Sequence, residues 1–413
     1  YVQAVMELPA LAEDLLDLLP LYCALVTEVG SAGRDYLATQ ARQAAVTGGL
    51  SARCVVRGAV DDPQRTQGVL ALAGKALARN QAALAALLAE TFFTPRFDEL
   101  PRLRELVAQL RAAREESVTD QGHYLAMAAA SAGLSPTAAL SHRWDGLLGL
   151  RRLKALDDAL DDPEQLAAFA AALQALHGQI QRAPRRLLVV SEAARQEAIA
   201  AALAGHWLDS PQADGAFAPP PAQSPRRQGW STGTQVSFCA KAYPAVAPGH
   251  GDAPALAVLG NFLRDGYLHR AIREQGGAYG GGAGYQGDTG VFRFYSYRDP
   301  RLAETLADFD RALDWLRDTR HPPRALEEAI LGMVAAIDRP GSPAGEAIGT
   351  YFASLFGRTP AQRRAFRQAV LKVTLDDLRR VAEVWLRPER ARVAVVSNAQ
   401  SLHRQPGLEV QAL

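Results

Sequence analysis

Residues 273–287 read Arg-Glu-Gln-Gly-Gly-Ala-Tyr-Gly-Gly-Gly-Ala-Gly-Tyr-Gln-Gly, a stretch that is unusually rich in glycine. A helical pattern at 253–272 leads into this stretch, and a strand pattern at 290–297 follows it. Glycine at this density lets the backbone adopt positive φ, or lets a second backbone or a ligand come close. The alternative is a flexible loop without a partner, and the glycines alone do not separate the two.

The stretch does not have the pattern of a phosphate-binding loop. Such a loop ends in Gly-Lys-Ser or Gly-Lys-Thr and is followed by a helix, whose N-terminus binds the phosphate. Here the helical pattern comes before the glycines and a strand pattern comes after them. We therefore do not expect a nucleotide site at this motif.

Length and composition are those of a globular protein with two or three domains. The chain has 413 residues, of which 48% are hydrophobic and 22% are charged, which is ordinary for a folded soluble protein. The formal net charge of +1 gives no indication of nucleic acid or an anionic membrane as a partner. No apolar run is long enough to span a membrane.

The three cysteines, Cys23, Cys54 and Cys239, are far apart in the sequence and form no Cys-x-x-Cys pair. Their odd number argues against a disulfide framework, and a reducing compartment fits best. Because the chain shows no targeting segment, we expect a cytoplasmic location. Residues 1–8 alternate as a strand does and lack an initiator Met, so we expect the chain to begin inside a longer protein.

The same order of predicted elements occurs twice: strand, helices, Gly-Gly, strand, strand, helices, strand. The Gly-Gly pair lies at 48–49 in the first copy and at 276–277 in the second, and the final strands at 187–191 and 393–397 resemble each other. Self-similarity at this long period indicates duplicated domains. The predicted fold is α+β, with two similar domains, each a mostly antiparallel sheet that packs helices on one face.

A proline-rich stretch separates the two copies. Residues 209–227 contain five prolines and little apolar periodicity, which is typical of a linker. We predict a first domain at 1–208, a linker or loop at 209–228 and a second domain at 229–413.

Four finer predictions follow from the same patterns. Residues 230–243 have the pattern of one strand, and 187–190 that of a short buried strand. Asn80 is positioned to cap the helix that follows it. The tail after Ser397 is predicted to be ragged.

No complete catalytic constellation can be found in the chain. None of the eight histidines lies in His-Glu-x-x-His or in the inverted His-x-x-Glu-His, so no zinc-binding helix is present. There is also no Gly-x-Ser-x-Gly elbow and no dinucleotide fingerprint. The acidic pairs lie in polar turns, where they are expected to be solvated or to cap helices.

Arg273 and Tyr279 remain as candidate site residues, six positions apart across the Gly-Gly pair. The Arg guanidinium can clamp a carbonyl or carboxylate, and the Tyr hydroxyl can donate to a developing oxyanion. Gly276 and Gly277 would let a substrate backbone approach. The alternative is structural, with Arg273 as a solvated cation at a helix end and Tyr279 as a core aromatic. Spacing alone leaves both open.

Residues 267–282 resemble the Arg/Tyr motif of the pitrilysin (insulinase) family of zinc metallopeptidases, in its presequence protease and falcilysin branch. The segment reads Tyr-Leu-His-Arg-Ala-Ile-Arg-Glu-Gln-Gly-Gly-Ala-Tyr-Gly-Gly-Gly. Further stretches that resemble this branch are 18–30, 47–51, 93–98 and 337–343. The resemblance spans essentially the whole chain, and the Arg/Tyr motif is its specific part.

Members of that family contain four similar α+β domains in two halves, which a linker joins and which close around a peptide. The first half binds one zinc ion through an inverted His-x-x-Glu-His motif and a further Glu, and a zinc-bound water attacks the peptide carbonyl. The resemblance implies that this chain is the C-terminal half. Arg273 and Tyr279 would bind the substrate and stabilise the tetrahedral intermediate, with Gly276 and Gly277 beside them.

The resemblance also implies what this chain lacks. Zn²⁺ is expected only in the N-terminal half, with no metal bound by this chain, and the chain alone is expected to be inactive as a peptidase. The expected partners are unfolded or short peptides and the N-terminal half of the same polypeptide, without nucleic acid or membrane. A catalytically silent scaffold or binding subunit of the same superfamily is the alternative, although the presence of both Arg273 and Tyr279 favours the peptidase.

Overall fold

The computed structural model describes residues 1–207, 215–221 and 223–413. The linker predicted at 209–228 lies partly outside the described residues, so the predicted domain boundaries stay a prediction. Among the described helices, none is both long enough and apolar enough to cross a bilayer.

Helices make up most of the regular structure. The described ranges contain fifteen α-helices: α1 (Glu13–Leu25), α2 (Tyr36–Val46), α3 (Gln81–Phe93), α4 (Leu100–Ser131), α5 (Pro136–Trp144), α6 (Leu147–Ala159), α7 (Pro163–Gln181), α8 (Ala193–Ala204), α9 (Ala253–Leu263), α10 (Ala303–Asp318), α11 (Pro323–Ile337), α12 (Pro343–Leu355), α13 (Pro360–Val370), α14 (Leu375–Trp385) and α15 (Ala399–His403). A π-helix, Arg264–Glu274, continues α9, and two short 3₁₀ turns lie at Ala78–Asn80 and Pro388–Arg390.

The strands are β1 (Val2–Glu7), β2 (Gly30–Ser31), β3 (Leu50–Gly58), β4 (Thr66–Gly74), β5 (Pro95–Arg96), β6 (Arg185–Val189), β7 (Arg227–Ser231), β8 (Phe238–Pro244), β9 (Gly280–Gln286), β10 (Val291–Tyr297), β11 (Arg392–Ser397) and β12 (Glu409–Ala412). They form a four-stranded sheet in the order β3-β4-β1-β6 and a six-stranded sheet in the order β12-β7-β11-β8-β10-β9. A small pair, β2 with β5, lies apart from both.

The two sheets share one antiparallel core topology. In the first, β4 lies between β3 and β1, and β6 pairs with β1. In the second, β10 lies between β9 and β8, and β11 pairs with β8 in the same antiparallel way. The second sheet adds β7 and β12 as parallel strands. The predicted α+β fold of two similar domains with mostly antiparallel sheets is therefore confirmed.

Local sequence explains where several helices begin. Asp35 Oδ1 accepts a hydrogen bond of 2.8 Å from the backbone N–H of Ala38 at the start of α2, as a good N-cap does. Thr374 and Asp377 form a reciprocal capping box at the start of α14. Such caps satisfy amides that a helix end otherwise leaves without a partner.

Each sheet packs helices of its own half against one face. In the first half the apolar cluster includes Met6 and Leu72 of the sheet, which are fully buried with the helical residues Leu19 and Leu88. A second, separate cluster holds the second sheet against α9, α10 and α14. These two clusters are the main cores of the molecule.

The opposite faces of both sheets also receive helices, whereas the sequence predicted helices on one face only. The C-terminal part of α4 packs Ala126 and Ala130 on the outer face of the second sheet. Gly122 makes this approach possible, because a Cβ there would lie 2.4 Å from the ring of Phe238. In return, α12 packs Phe352 on the outer face of the first sheet. Each half of the chain thus packs one of its helices on the sheet of the other half.

The finer predictions were wrong in four places. Asn80 does not cap its helix, because its side chain instead donates to the carbonyl of Val46 at 3.0 Å. The single strand expected at 230–243 is two strands, β7 and β8. The strand β6 is an edge strand, with Leu187 36% exposed. The tail after Ser397 is ordered into α15 and β12.

The fold also brings together two cysteines that are distant in sequence. The Sγ atoms of Cys23 in α1 and Cys54 in β3 lie 3.5 Å apart, and both thiols are free.

Candidate functional site

The helix that carries Arg273 changes its geometry before it reaches the site. The sequence predicted one helix over 253–272, and the structure has the α-helix α9 followed directly by the π-helix Arg264–Glu274. Widened helical turns are rare and occur frequently at functional sites. Within this π-helix, Gly266 packs closely on α10, where a Cβ would lie 2.4 Å from the ring of Trp315.

A tight turn at Gly277 links the π-helix to β9. The amide of Gly277 donates to the carbonyl of Arg273 at 3.1 Å, and the amide of Ala278 donates to the carbonyl of Ile272 at 3.1 Å. Gly277 has a φ of +79°, a conformation that glycine adopts without steric cost. The second glycine of the predicted Gly-Gly pair is therefore required by the turn.

Gly276 is glycine for a different reason. A Cβ at this position would lie 1.9 Å from Nη2 of Arg301 and 2.5 Å from the carbonyl oxygen of Ile272. That Nη2 also donates to the carbonyl of Ala271 at 3.2 Å and to Asp308 at 3.1 Å. Packing around Arg301 thus accounts for Gly276, and a contact between Gly276 and substrate stays a prediction.

Tyr279 is displayed to solvent immediately before β9. Its side chain is 69% exposed, so the alternative that it is a core aromatic is wrong. The backbone amide of Tyr279 donates to the carbonyl of Tyr297 at 3.1 Å, and the two rings meet edge-on. No described group forms a hydrogen bond with the Tyr279 hydroxyl, which leaves that donor free for a ligand.

Arg273 lies in the last turn of the π-helix and is also exposed. Among the described residues, its guanidinium has no ion pair and no hydrogen-bond partner. A cation is favourable at a helix C-terminus, so the structural explanation of Arg273 is still open. The structure nevertheless presents two side chains with free donors on either side of one short turn.

The glycine-rich stretch after Tyr279 is a strand, as the repeated element order predicted, although its own composition does not indicate one. β9 pairs with β10 in antiparallel register, with Gly280 opposite Tyr297 and Gly282 opposite Tyr295. Glycine is depleted in strands, so composition concealed the element. β9 is the last strand of its sheet, and one side of its backbone pairs with no other described strand.

The loop that follows β10 supports the turn at Gly277. Arg298 adopts a φ of +48°, which is uncommon for a residue with a side chain, and its guanidinium bonds Asp120 of α4 at 2.7 Å. The next residue, Asp299, is fully buried and accepts a hydrogen bond of 2.7 Å from Thr305. Burial raises the pKa of the Asp299 carboxyl, although its hydrogen bonds act in the other direction.

The described residues do not supply a metal site. Across them, no three or more His, Cys, Asp or Glu side chains are grouped so that they could hold a metal ion. The residues that the structure describes therefore do not fit a resident zinc ion, and the candidate site at Arg273 and Tyr279 consists of organic hydrogen-bond donors.

Comparison with known proteins identifies the family. A family model for the associated domain of M16 peptidases of subfamily C matches residues 1–156, and one described as "PreP C-terminal domain" matches residues 230–399. The two models together cover most of the chain, and the second contains both Arg273 and Tyr279. The chain belongs to the pitrilysin (M16) peptidase family.

Pitrilysin-family relatives with curated names match along nearly the whole chain. The mitochondrial presequence protease of Danio rerio is 30% identical over 94% of this chain and 40% of its own length. That of Emericella nidulans is 31% identical over 100% of this chain and 40% of its own length. The chain thus spans less than half the length of these relatives, and its matched regions correspond to the C-terminal half of a pitrilysin-family peptidase.

A solved structure confirms the fold independently. The crystal structure of a peptidase M16 inactive domain from Pseudomonas fluorescens superposes with a TM-score of 0.63 and 17% identity, covering 96% of this chain and 92% of that one. At this identity the comparison supports the pitrilysin-family fold and no more.

The comparison also corrects one expectation. The matched presequence proteases are named as mitochondrial proteins in fish, frog and yeast. The cytoplasmic location expected from the lack of a targeting segment is therefore wrong. The expectation failed because it rested on an absence, and the lack of a targeting pattern in a stretch of sequence does not indicate a location.

Proposed function

We propose that this chain is the substrate-binding, C-terminal half of a zinc-dependent metalloendopeptidase that degrades peptides inside a closed chamber. The observation that carries this proposal is the exposure of Arg273 and Tyr279, whose donors have no partner among the described residues, beside the edge strand β9. The family membership supplies the reaction class.

In this proposal each of the two residues contacts the peptide. The Arg273 guanidinium binds a peptide carbonyl oxygen and holds the chain in place. The Tyr279 hydroxyl donates a hydrogen bond to the carbonyl under attack, and this bond strengthens as negative charge develops on the oxygen. Gly277 fixes the turn between them, and the edge-on contact with Tyr297 limits the positions of the Tyr279 ring. Such preorganised donors lower the barrier without rearrangement during the reaction.

Zinc belongs to the other half in this proposal. The ligand groups for Zn²⁺ lie outside this chain, so the chain alone binds peptides and does not hydrolyse them. Its partners are unfolded or short peptides and the zinc-carrying N-terminal half of the same polypeptide. Zinc-dependent hydrolysis of a peptide by the purified 413-residue chain would overturn this division of labour.

The test is a conservative substitution in the protease with both halves present. Tyr279→Phe removes one hydroxyl and should lower turnover by roughly 10²–10³-fold, as loss of one oxyanion donor does. Tyr351→Phe is the matched control, because the Tyr351 hydroxyl has no hydrogen-bond partner in the described structure. Turnover unchanged in Tyr279→Phe would show that the Tyr279 hydroxyl takes no part in catalysis and would favour a structural role for this residue.

A further inference from the structure

The face of β9 and β10 that looks toward α4 carries a second set of polar groups. Directly opposite residues of an antiparallel pair point to the same side, so this face presents three glycines of β9 opposite Arg293, Tyr295 and Tyr297 of β10. We call it the tyrosine face; its members are Gly280, Gly282, Gly284, Arg293, Tyr295 and Tyr297. The opposite face of β10 buries Phe292 and Phe294 in the core.

The tyrosine face contains two open spaces on either side of one covered glycine. A Cβ on Gly282 would meet the ring and hydroxyl of Tyr295 at 3.2 Å, so that ring lies over Gly282. A Cβ on Gly280 or Gly284 would meet nothing within 4 Å. The two open spaces are four residues apart along the strand, or about 13 Å. At each of them the surface of the strand is open where a side chain would otherwise begin.

The space over Gly284 is next to an arginine without a counterion. Arg293 is the cross-strand partner of Gly284 and is partly buried. Its guanidinium bonds the neutral amide oxygen of Gln286 at 3.2 Å, and no described carboxylate forms an ion pair with it. Burial lowers the pKa of Arg293, and only the smaller influence of Tyr124 acts in the other direction.

Two neighbouring arginines differ from Arg293 in having carboxylate partners. Arg298 pairs with Asp120 at 2.7 Å, and Arg264 pairs with Asp265 at 2.8 Å. A charge withdrawn from water without a partner costs stability. Arg293 therefore has the environment of a group that an anionic ligand completes.

The first half of the chain contributes the opposite wall of this site. The ring of His123 of α4 packs against that of Tyr297 in a tilted arrangement, with centroids 4.6 Å apart, and lies 5.7 Å from the ring of Tyr295. The next residue, Tyr124, is 61% exposed and is the residue that acts on the pKa of Arg293. Aromatic side chains of the first half of the chain thus lie on the tyrosine face beside Tyr295 and Tyr297, and Tyr124 is near enough to Arg293 to affect its pKa.

We propose that the space over Gly284 is a carboxylate subsite, in which Arg293 binds an acidic side chain or the C-terminal carboxylate of a peptide. This inference rests on the proposed peptide-binding function and adds a specificity residue to it. Carboxylates match the planar guanidinium fork and can accept two parallel hydrogen bonds. The missing side chain at Gly284 leaves the room that such a ligand needs.

The test measures binding of the 413-residue chain to four rhodamine-labelled decapeptides by fluorescence anisotropy. The peptides share one sequence and differ in a central Glu or Gln and in a C-terminal acid or amide, so that the two sources of a carboxylate are separated. We expect at least one carboxylate to tighten binding by about tenfold, as a charge-assisted hydrogen bond does. Arg293→Gln should abolish that preference and leave affinity for the neutral peptide unchanged.

A matched control removes the same charge elsewhere. Arg317→Gln changes an exposed arginine that already pairs with Asp314 and Asp318, and it should keep the carboxylate preference. Circular dichroism and the unfolding midpoint confirm that both variants are folded.

The outcomes separate this inference from the proposed function. Equal binding of all four peptides by the wild-type chain would overturn the carboxylate subsite and leave the peptide-binding function intact. An equal loss of preference in Arg317→Gln would show a general charge effect and would also overturn it. If no peptide binds, both the subsite and peptide binding by this half are refuted.

Discussion

The ring of Tyr279 stands perpendicular to the ring of Tyr297, with centroids 5.4 Å apart and an interplanar angle of 90°. This is the edge-to-face arrangement that aromatic pairs favour, and it contributes about 0.5–1.5 kcal/mol beyond the buried area. Tyr297 lies in β10, the strand next to the site, and Tyr279 is the exposed member of the pair. The contact therefore limits the positions of a hydroxyl that would otherwise move freely in solvent.

Tyr297→Leu should lower turnover of the complete protease by up to about tenfold, because it removes a contact of that strength. The loss should appear in kcat more than in KM, since the substitution affects the position of Tyr279 and leaves Arg273 in place. Tyr297→Phe keeps the ring and should restore turnover. A Tyr297→Leu enzyme with wild-type kcat would show that Tyr279 needs no support from this ring.

Gly276→Ala should destabilise the fold by about 1–3 kcal/mol, as overpacking does. The new Cβ would lie 1.9 Å from the Arg301 guanidinium and 2.5 Å from a backbone oxygen that cannot move far. Urea unfolding of the purified chain measures the change. Gly280→Ala is the control, because its Cβ meets nothing within 4 Å, and its stability should be close to that of wild type. Equal stability of the two variants would contradict the packing explanation of Gly276.

The sequence predicted the polar residues of the site better than the strand that follows them. Arg273 and Tyr279 could be found because their residue types are chemically distinctive and a Gly-Gly pair separates them. Only the repeated element order indicated β9, because β10 and not β9 supplies the side chains that stabilise the pair. Arg293 escaped notice, since nothing in a sequence shows that an arginine lacks a counterion.

The fold was predictable to the extent that it repeats. The double occurrence of one element order predicted two similar sheets, and the strand orders confirm it. The exchange of α4 and α12 between the halves could not be predicted, because periodicity identifies an apolar face without identifying what covers it. Gly122 was the available signal, as the close approach to Phe238 requires a missing side chain there.

Arg293→Met should leave the fold at least as stable as wild type, with an increase of up to about 1–2 kcal/mol. An uncompensated, partly buried charge is replaced by an apolar chain of similar length, which is often neutral or stabilising. The substitution loses one hydrogen bond to Gln286. Urea unfolding without peptide measures the effect, and Arg301→Met provides the contrast, because Arg301 holds Asp308 and its loss should destabilise. A strongly destabilised Arg293→Met chain would assign Arg293 a structural role.

Stability should fall as the pH is lowered from 6.5 to 4, and His177 should account for part of the fall. His177 is only 1% exposed, and its Nδ1 lies 2.8 Å from the hydroxyl of Tyr22. Burial lowers its pKa from 6.5 to about 4. Between these pH values the unfolded chain binds a proton at His177 and the folded chain does not. The contribution of His177 to the free energy of unfolding is therefore complete above pH 6.5 and is lost as the pH falls toward 4.

The full contribution of His177 is about 3 kcal/mol, and its greatest slope is about 1.4 kcal/mol per pH unit. His177→Gln removes the titrating group and keeps an acceptor for Tyr22. Between pH 6 and 4.5 the unfolding free energy of wild type should therefore fall more steeply than that of the variant, by up to that slope. His142, whose pKa burial also lowers to about 4, stays in the variant and preserves part of the wild-type slope. His206→Gln changes an exposed histidine and should run parallel to wild type. Parallel curves for His177→Gln would mean that His177 is protonated as readily in the folded chain as in the unfolded one.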